Sequence, residues 1–189
     1  MHTPLVILDR DGTVNHDSDD YIKSADEWVA LPGAIDAIAK LNHAGWRVVI
    51  ASNQSGLGRG LFDVATLNQM HDKMNKALAK AGGRVDAIFY CPHTPEDGCT
   101  CRKPLPGLLE QVADRFGVDI KGVPFVGDSL RDMQAAVAAG CVPHLVLTGN
   151  SESLRGSSLP LTFPAGTHMH LDLNAFVDAF LKKSVEAAA

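Results

Sequence analysis

Short apolar runs alternate with amphipathic stretches along the chain. Five such runs, often rich in β-branched residues, predict strands at residues 5–8, 47–51, 86–90, 123–126 and 143–147. Because polar residues do not alternate within them, each run predicts a strand that is buried on both faces. Apolar residues at helical spacing predict helices at 34–43, 64–80, 107–116 and 130–139, and a last helix that contains residues 173–181.

The alternation of strands and helices predicts an α/β fold with a doubly wound, mainly parallel sheet of the Rossmann-like type. A chain of 189 residues suits a single domain, here residues 1–189. Residues 149–170 are rich in Ser, Gly, Pro and Thr, which predicts a long surface connection. In a sheet of this kind, ligands bind beyond the carboxyl ends of the strands, so that edge is where functional residues are expected.

Composition and net charge argue against several classes of protein. Hydrophobic residues make up 46% and charged residues 21% of the chain, which is typical of a globular protein and excludes a disordered one. The net charge of −5 argues against nucleic acid as the main partner. No apolar run reaches the length of a membrane span, and the N-terminus leads directly into a strand without a signal-peptide pattern. We expect a cytoplasmic monomer that acts on a small molecule and binds neither nucleic acid nor a membrane.

Acidic residues follow two of the predicted strands. Asp9 and Asp11 come directly after the first strand, with Gly12 to turn the chain, and Asp128 follows the fourth. If the sheet is wound as predicted, these carboxylates converge on one point and suit a catalytic Mg²⁺. The alternative is that each Asp only caps a turn or a helix.

Three of the four cysteines fall within one short loop. Cys91, His93, Cys99 and Cys101 supply four soft or borderline ligands, enough to close a tetrahedral Zn²⁺ site with no open position. The alternatives are buried free thiols or a chance cluster. We expect a structural zinc ion at this loop, whereas Cys141 is predicted to be a small buried hydrophobic residue.

Four sequence motifs resemble those of the haloacid dehalogenase superfamily of phosphotransferases. They are Asp9-x-Asp11-Gly12-Thr13, Ser52, Lys103 and Gly127-Asp128-x3-Asp132. The resemblance implies that Asp9 is the nucleophile, that Asp11 is the general acid and base, and that Ser52 and Lys103 stabilise the phosphoryl oxygens. It further implies that Mg²⁺ is held by Asp9, by Asp128 and by the backbone carbonyl of Asp11, with Asp132 in a supporting or helix-start role.

The segment Cys-Pro-His…Cys-x-Cys-Arg-Lys-Pro resembles the zinc-loop branch of the superfamily, whose members act on heptose 1,7-bisphosphate or on histidinol phosphate. Residues 52–60 are similar to the heptose form, since the histidinol relatives tend to carry Asp in place of Ser55. The resemblance implies an Mg²⁺-dependent phosphatase that removes the 7-phosphate of D-glycero-D-manno-heptose 1,7-bisphosphate for lipopolysaccharide biosynthesis. The alternative is a histidinol-phosphate phosphatase of histidine biosynthesis.

Substrate contacts follow from the same resemblance. The residues expected to touch the sugar or its phosphates are Asp17, Ser18, Asp19, Asp20, Ser52, Asn53, Gln54, Ser55, Arg102 and Lys103. Ser129 stands where some relatives have Lys, which leaves one contact open or passes it to Arg131. His16 and Tyr21 either line the sugar pocket or belong to the loop surface. The intervals between the motifs are filled by core elements, so no lid domain is expected, and specificity falls to the 14–31 loop and the zinc loop.

Overall fold

A computed structural model describes residues 4–188 of the chain. Within these residues, six parallel strands form one sheet in the order β3-β2-β1-β4-β5-β6. The strands are β1 (Leu5–Leu8), β2 (Arg47–Asn53), β3 (Ala87–Cys91), β4 (Pro124–Gly127), β5 (Val142–Val146) and β6 (His168–His170). The predicted doubly wound parallel sheet is confirmed, and it is the Rossmann-like strand order.

Helices cover both faces of the sheet. They are α1 (Ala34–His43), α2 (Ser55–Gly58), α3 (Val64–Lys80), α4 (Gly107–Phe116), α5 (Leu130–Ala138) and α6 (Leu173–Ala188). Successive side chains of a strand point to opposite faces, so β1 divides its four apolar residues between two cores. Val6 and Leu8 pack with α1, α3 and α6, whereas Leu5 and Ile7 pack with α4 and α5. This explains why β1 is an unbroken apolar run.

Three parts of the fold differ from the sequence prediction. The 149–170 connection contains a 3-10 helix at Gly149–Leu154 and the edge strand β6, and the short helix α2 follows β2 directly. Strand β3 is only partly buried along most of its length, because it lies at the edge of the sheet. The prediction that every strand is buried on both faces is therefore wrong for β3.

Two expected absences concern the described part of the chain. No cap domain is seen among residues 4–188, since the intervals after Asp9 and after Lys103 hold α1, β2, α4, β4 and their loops. Nor does any helix within that range have the length and apolar character needed to cross a membrane.

The chain reverses its winding direction between β1 and β4, which lie side by side at the middle of the sheet. At such a switch point the loops leaving the two strands diverge and open a crevice. Asp9 follows β1 and Asp128 follows β4. The topology thus brings the predicted carboxylates to one crevice.

Candidate active site

Three buried carboxylates meet in this crevice. Ligand oxygens of Asp9, Asp128 and Asp132 all lie within 4.8 Å of one another. The side chain of Asp132 reaches the group from the first turn of α5. The structure therefore brings Asp9 and Asp128 together as the sequence predicts, and Asp132, which has the expected place at the start of a helix, lies beside them.

Lys103 is the buried cation of the cluster. Its Nζ lies 2.8 Å from Oδ1 of Asp9 and 2.6 Å from Oδ1 of Asp132, and it donates to the carbonyl of Ala51 at 2.9 Å. The side-chain amide of Asn53 both accepts from the backbone N–H of Lys103 and donates to its carbonyl, each at 3.1 Å. Strand β2 thus holds this lysine by its backbone and by its ammonium group.

The charges of the cluster do not balance within the protein. The cluster has three carboxylates and one ammonium group, so two negative charges are uncompensated when all three carboxylates are ionised. Burial, followed by the charge of Asp132, raises the pKa of Asp9 well above its ordinary range and that of Asp128 to about 7. Burial alone would lower the pKa of Lys103, but Asp132 and Asp9 outweigh it and raise the pKa. An oxygen-rich site short of two positive charges fits Mg²⁺.

Asp11 is held apart from this cluster by hydrogen bonds. Its carboxylate accepts from the Arg10 guanidinium at 2.8 and 3.0 Å, from Asn15 Nδ2 at 2.8 Å and from Gln54 Nε2 at 2.8 Å. Burial acts to raise the pKa of Asp11, but Arg10 and the other donors outweigh it and lower the pKa. Arg10 is itself completely buried, and its Nη1 lies 3.3 Å from Nε2 of His71 on α3. Asp11 is thereby stabilised as an anion.

Gln54 links Asp11 to Ser52. The amide nitrogen of Gln54 donates to Asp11 Oδ2 and to Ser52 Oγ, both at 2.8 Å. Because Gln54 occupies a lone pair of the Ser52 oxygen, the hydroxyl hydrogen stays available to an incoming acceptor. Ser52 is almost completely buried at the end of β2 and lines the cavity above the carboxylates.

A cavity of about 240 Å³ opens above these groups. Its lining contains most of the residues predicted for catalysis and substrate binding, together with Tyr21, Ser129, Arg131 and Asn150. The predicted residues among them are Asp9, Asp11, Asp17, Ser18, Asp19, Ser52, Asn53, Gln54, Ser55, Arg102, Lys103 and Asp128. Asp20 and His16 line a neighbouring hollow instead. The hydroxyl of Ser129 caps α5 by bonding Asp132, so this side chain is committed to the helix.

The cysteine loop forms a compact four-ligand cluster. Cys91 Sγ lies 3.5 Å from His93 Nδ1 and 3.6 Å from Cys99 Sγ, and Cys101 Sγ lies 3.3 Å from His93 Nδ1 and 3.6 Å from Cys99 Sγ. Such separations fit four ligands around one tetrahedral Zn²⁺. The loop continues into Arg102, whose guanidinium donates to the carbonyl of His93 at 3.3 Å, and then into Lys103. A zinc ion here would fix both basic residues.

Sequence reasoning missed one segment of the site. Thr148, Gly149 and Asn150 follow β5, and both the backbone and side-chain nitrogens of Asn150 donate to Asp128 Oδ2. A signal was present, because a polar Thr-Gly-Asn sequence directly follows a predicted strand, as it does at the other functional strand ends.

Comparisons with known proteins agree with this geometry. A family model for haloacid dehalogenase-like hydrolases matches residues 3–140. A protein of Bordetella bronchiseptica named D-glycero-beta-D-manno-heptose-1,7-bisphosphate 7-phosphatase is 58% identical over 180 residues, which is 95% of this chain and 99% of that protein. A protein of the same name from Pseudomonas aeruginosa is 50% identical and covers 96% of this chain and 100% of its own.

Two solved structures are similar over nearly the whole chain. The D,D-heptose 1,7-bisphosphate phosphatase of B. bronchiseptica, complexed with magnesium and phosphate, has a TM-score of 0.89 and 59% identity, covering 95% of this chain and 99% of that one. The enzyme of the same name from Burkholderia thailandensis has a TM-score of 0.72 and 50% identity, covering 94% and 98%. The family model, the relatives and the site geometry agree, and the chain belongs to the haloacid dehalogenase-like hydrolases.

Proposed function

We propose that this protein is an Mg²⁺-dependent phosphatase that removes the 7-phosphate of D-glycero-D-manno-heptose 1,7-bisphosphate. The observation that carries the proposal is the buried cluster of Asp9, Asp128 and Asp132 around Lys103, with its two uncompensated negative charges. The substrate is taken from the relatives described above, which are named for it at 50–58% identity over nearly the whole chain. These names favour the heptose substrate over histidinol phosphate.

The first half of the reaction forms a bond between Asp9 and phosphorus. Asp9 Oδ1 is held by the backbone N–H of Arg10 at 2.7 Å and by Lys103 at 2.8 Å, which orients the second oxygen for in-line attack. The bond from phosphorus to the sugar oxygen breaks, and Asp11 donates a proton to that oxygen. Ser52 and Lys103 donate to the phosphoryl oxygens as charge develops on them. Magnesium, when bound by Asp9, Asp128 and the Asp11 backbone carbonyl, neutralises phosphoryl charge so that an anion can attack.

The second half of the reaction hydrolyses the aspartyl-phosphate. Asp11 takes a proton from a water molecule, the water oxygen bonds to phosphorus, and Asp9 is released with inorganic phosphate. Burial acts to raise the pKa of Asp11, but Arg10 and the neighbouring donors lower it, which favours the anion that a general base requires. The acid step requires the protonated form, so we infer that Asp11 rotates away from Arg10 when substrate is bound.

The remaining residues supply substrate recognition and support. Arg102 is proposed to bind the phosphate that is not cleaved, with the sugar contacted by Asn53, Gln54, Ser55 and the 17–20 segment. Zinc at Cys91, His93, Cys99 and Cys101 is proposed to be structural, since four protein ligands leave no open position. We infer one capless domain that acts as a monomer. Free cysteines are typical of a reducing compartment, which supports an enzyme of the cytoplasm that contributes to lipopolysaccharide heptose synthesis.

Phosphate release from a substrate panel tests the proposal. We expect the purified protein with Mg²⁺ to hydrolyse heptose 1,7-bisphosphate with a higher kcat/KM than histidinol phosphate, and assaying both anomers will define the anomer preference. Asp9→Asn, which keeps the shape of the side chain but not the nucleophile, should lower kcat by a factor on the order of 10⁴ or more. Circular dichroism and zinc content of this variant serve as controls for the fold. Retained turnover by Asp9→Asn, or a preference for histidinol phosphate, would contradict the proposal.

A further inference from the structure

The segment that follows β5 touches three parts of the candidate site. The hydroxyl of Thr148 donates to the carbonyl of Gly12 at 2.5 Å, in the turn that follows Asp11. Gly149 packs so closely on the Asp128 carboxylate and on Gly12 that a Cβ at this position would collide with both. The backbone of the segment is therefore fixed against the loops that leave β1 and β4.

Asn150 places two donors on one oxygen of Asp128. Its backbone N–H lies 2.7 Å from Asp128 Oδ2, and its side-chain Nδ2 lies 2.9 Å from the same atom. Asn150 is exposed at the rim of the cavity, whereas Asp128 is 1% exposed beneath it. Since both donors act on the same oxygen, Asn150 orients the Asp128 carboxylate, which lies in the cluster with Asp9 and Asp132.

The same side chain reaches the loop that is expected to contact the sugar. Nδ2 of Asn150 also lies 3.0 Å from Oδ2 of Asp17. Asn150 and Asp17 both line the cavity above the carboxylates, and both line a second cavity of about 600 Å³ beside it, so the pair forms part of the wall between the two. One amide group thus joins a carboxylate of the metal-binding cluster to the substrate loop.

We propose that Asn150 is a positioning residue that orients Asp128 for the metal and holds Asp17 at the edge of the substrate cavity. It forms no bond to the reacting atoms. The inference rests on the proposed function in taking the carboxylate cluster as the Mg²⁺ site and the cavity above it as the substrate site. Residues that orient a metal ligand in this way typically change metal affinity 10- to 100-fold when they are replaced.

Titration of MgCl₂ into the zinc-loaded protein by calorimetry, without substrate, tests the first role. Asn150→Ala keeps the backbone donor and removes the side-chain donor, and we expect the Mg²⁺ dissociation constant to rise about tenfold. The matched control is Asn174→Ala, which removes a half-buried asparagine of α6 whose side chain also hydrogen-bonds an aspartate, Asp178. This control should bind Mg²⁺ as the unmodified protein does, and thermal unfolding should show that both variants are folded.

Kinetics separate the two roles. In Asn150→Ala, saturating Mg²⁺ should restore kcat while KM for the bisphosphate stays about 3- to 10-fold higher, the usual effect of one lost hydrogen bond. Asp17→Ala should raise KM to a similar extent without weakening Mg²⁺ binding. Tenfold weaker Mg²⁺ binding by Asp17→Ala would overturn this division of roles.

The outcomes distinguish the inference from the proposed function. If the unmodified protein binds Mg²⁺ and Asn150→Ala binds it equally well, the positioning role of Asn150 is overturned and the proposed function stands. If the unmodified protein binds no Mg²⁺, both are overturned. Weaker binding by Asn150→Ala alone, with the asparagine control unchanged, supports the inference.

Discussion

Gly12 determines how closely the chain can pass the Asp128 carboxylate. Its backbone has φ +78°, in the left-handed region, and a Cβ at this position would collide with the carboxylate of Asp128. A side chain at position 12 would therefore destabilise the fold in two ways, through the strained backbone conformation and through the collision with a residue of the cluster.

A pair of alanine substitutions separates these two effects. Gly45 has a similar φ of +86°, and a Cβ there would meet no atom within 4 Å. We expect Gly45→Ala to lower the free energy of unfolding by about 1–2 kcal/mol and to leave activity unchanged. Gly12→Ala should show at least this loss and should also displace Asp128, so kcat should fall by about 100-fold or more. Urea unfolding measures the free energy of unfolding of the two variants, and phosphate release measures their kcat. Equal kcat values for the two variants would contradict the prediction.

Single residues differ in how well the sequence locates them. Asp9 and Asp128 could be placed because each follows an apolar strand, and the strand ends of a parallel sheet share one edge. Asn150 occupies a similar position after β5, but a Thr-Gly-Asn sequence is equally typical of an ordinary turn, and only its contact with Asp128 distinguishes it. Likewise, the sequence could not tell that Asp20 lies beside the main cavity, whereas Asp17 and Asp19 line it.

At the scale of elements, Lys103 is held between strand β2 and the cysteine loop. Strand β2 contributes the carbonyl of Ala51 and the side-chain amide of Asn53. The loop contributes Cys101, which is two residues before Lys103. The loop has little apolar burial of its own, so we expect the metal to supply much of the energy that orders it.

Loss of zinc should therefore affect activity as well as stability. We expect Cys99→Ser to lose zinc, to unfold at a lower temperature and to lower kcat/KM, because Arg102 and Lys103 would no longer be fixed. Cys141→Ala is the matched control, since this buried cysteine contacts the carbonyl of Ile120 and is not one of the four ligands. Zinc content, thermal unfolding and phosphate release at saturating Mg²⁺ measure the effects. Full activity in a zinc-free Cys99→Ser protein would show that the loop does not depend on the metal.

Length decides which elements the sequence can predict. The helices at 34–43, 64–80 and 107–116 are long enough to repeat an apolar stripe several times, and their bounds match the structure. Strand β6 has three residues and α2 has four, which is too short for either periodicity to be read. The exposure of β3 depends on its place at the sheet edge, a property of topology that its own residues do not carry.

At the scale of the whole molecule, two histidines join the end of the sheet to the last helix. His144 on β5 and His170 on β6 are linked between Nδ1 and Nε2 at 3.0 Å, and both rings pack against Phe176 of α6. Burial, followed by neighbouring charges, lowers the pKa of His144 to about 3 and that of His170 to about 4. The neighbouring groups are His168, which stacks on His144, and Lys183 of α6. If both rings were protonated, two donors would face each other.

These shifts predict a loss of stability in mild acid. In the unfolded chain the two histidines titrate near pH 6.5, well above their pKa values in the folded protein. At these two histidines the unfolded state therefore binds more protons between about pH 6.5 and pH 4, so their contribution to the free energy of unfolding falls as the pH is lowered through this range and is fully retained above it. Urea unfolding of the zinc-loaded protein at pH 7, 6 and 5 measures the slope of the free energy of unfolding against pH.

His144→Gln, which keeps a polar side chain that cannot be protonated, should reduce proton uptake on unfolding at pH 5 by about one proton. Met169→Gln, a neutral change between the two histidines of β6, should leave the slope unaltered. An identical pH dependence in His144→Gln and the unmodified protein would mean that this pair does not control acid stability.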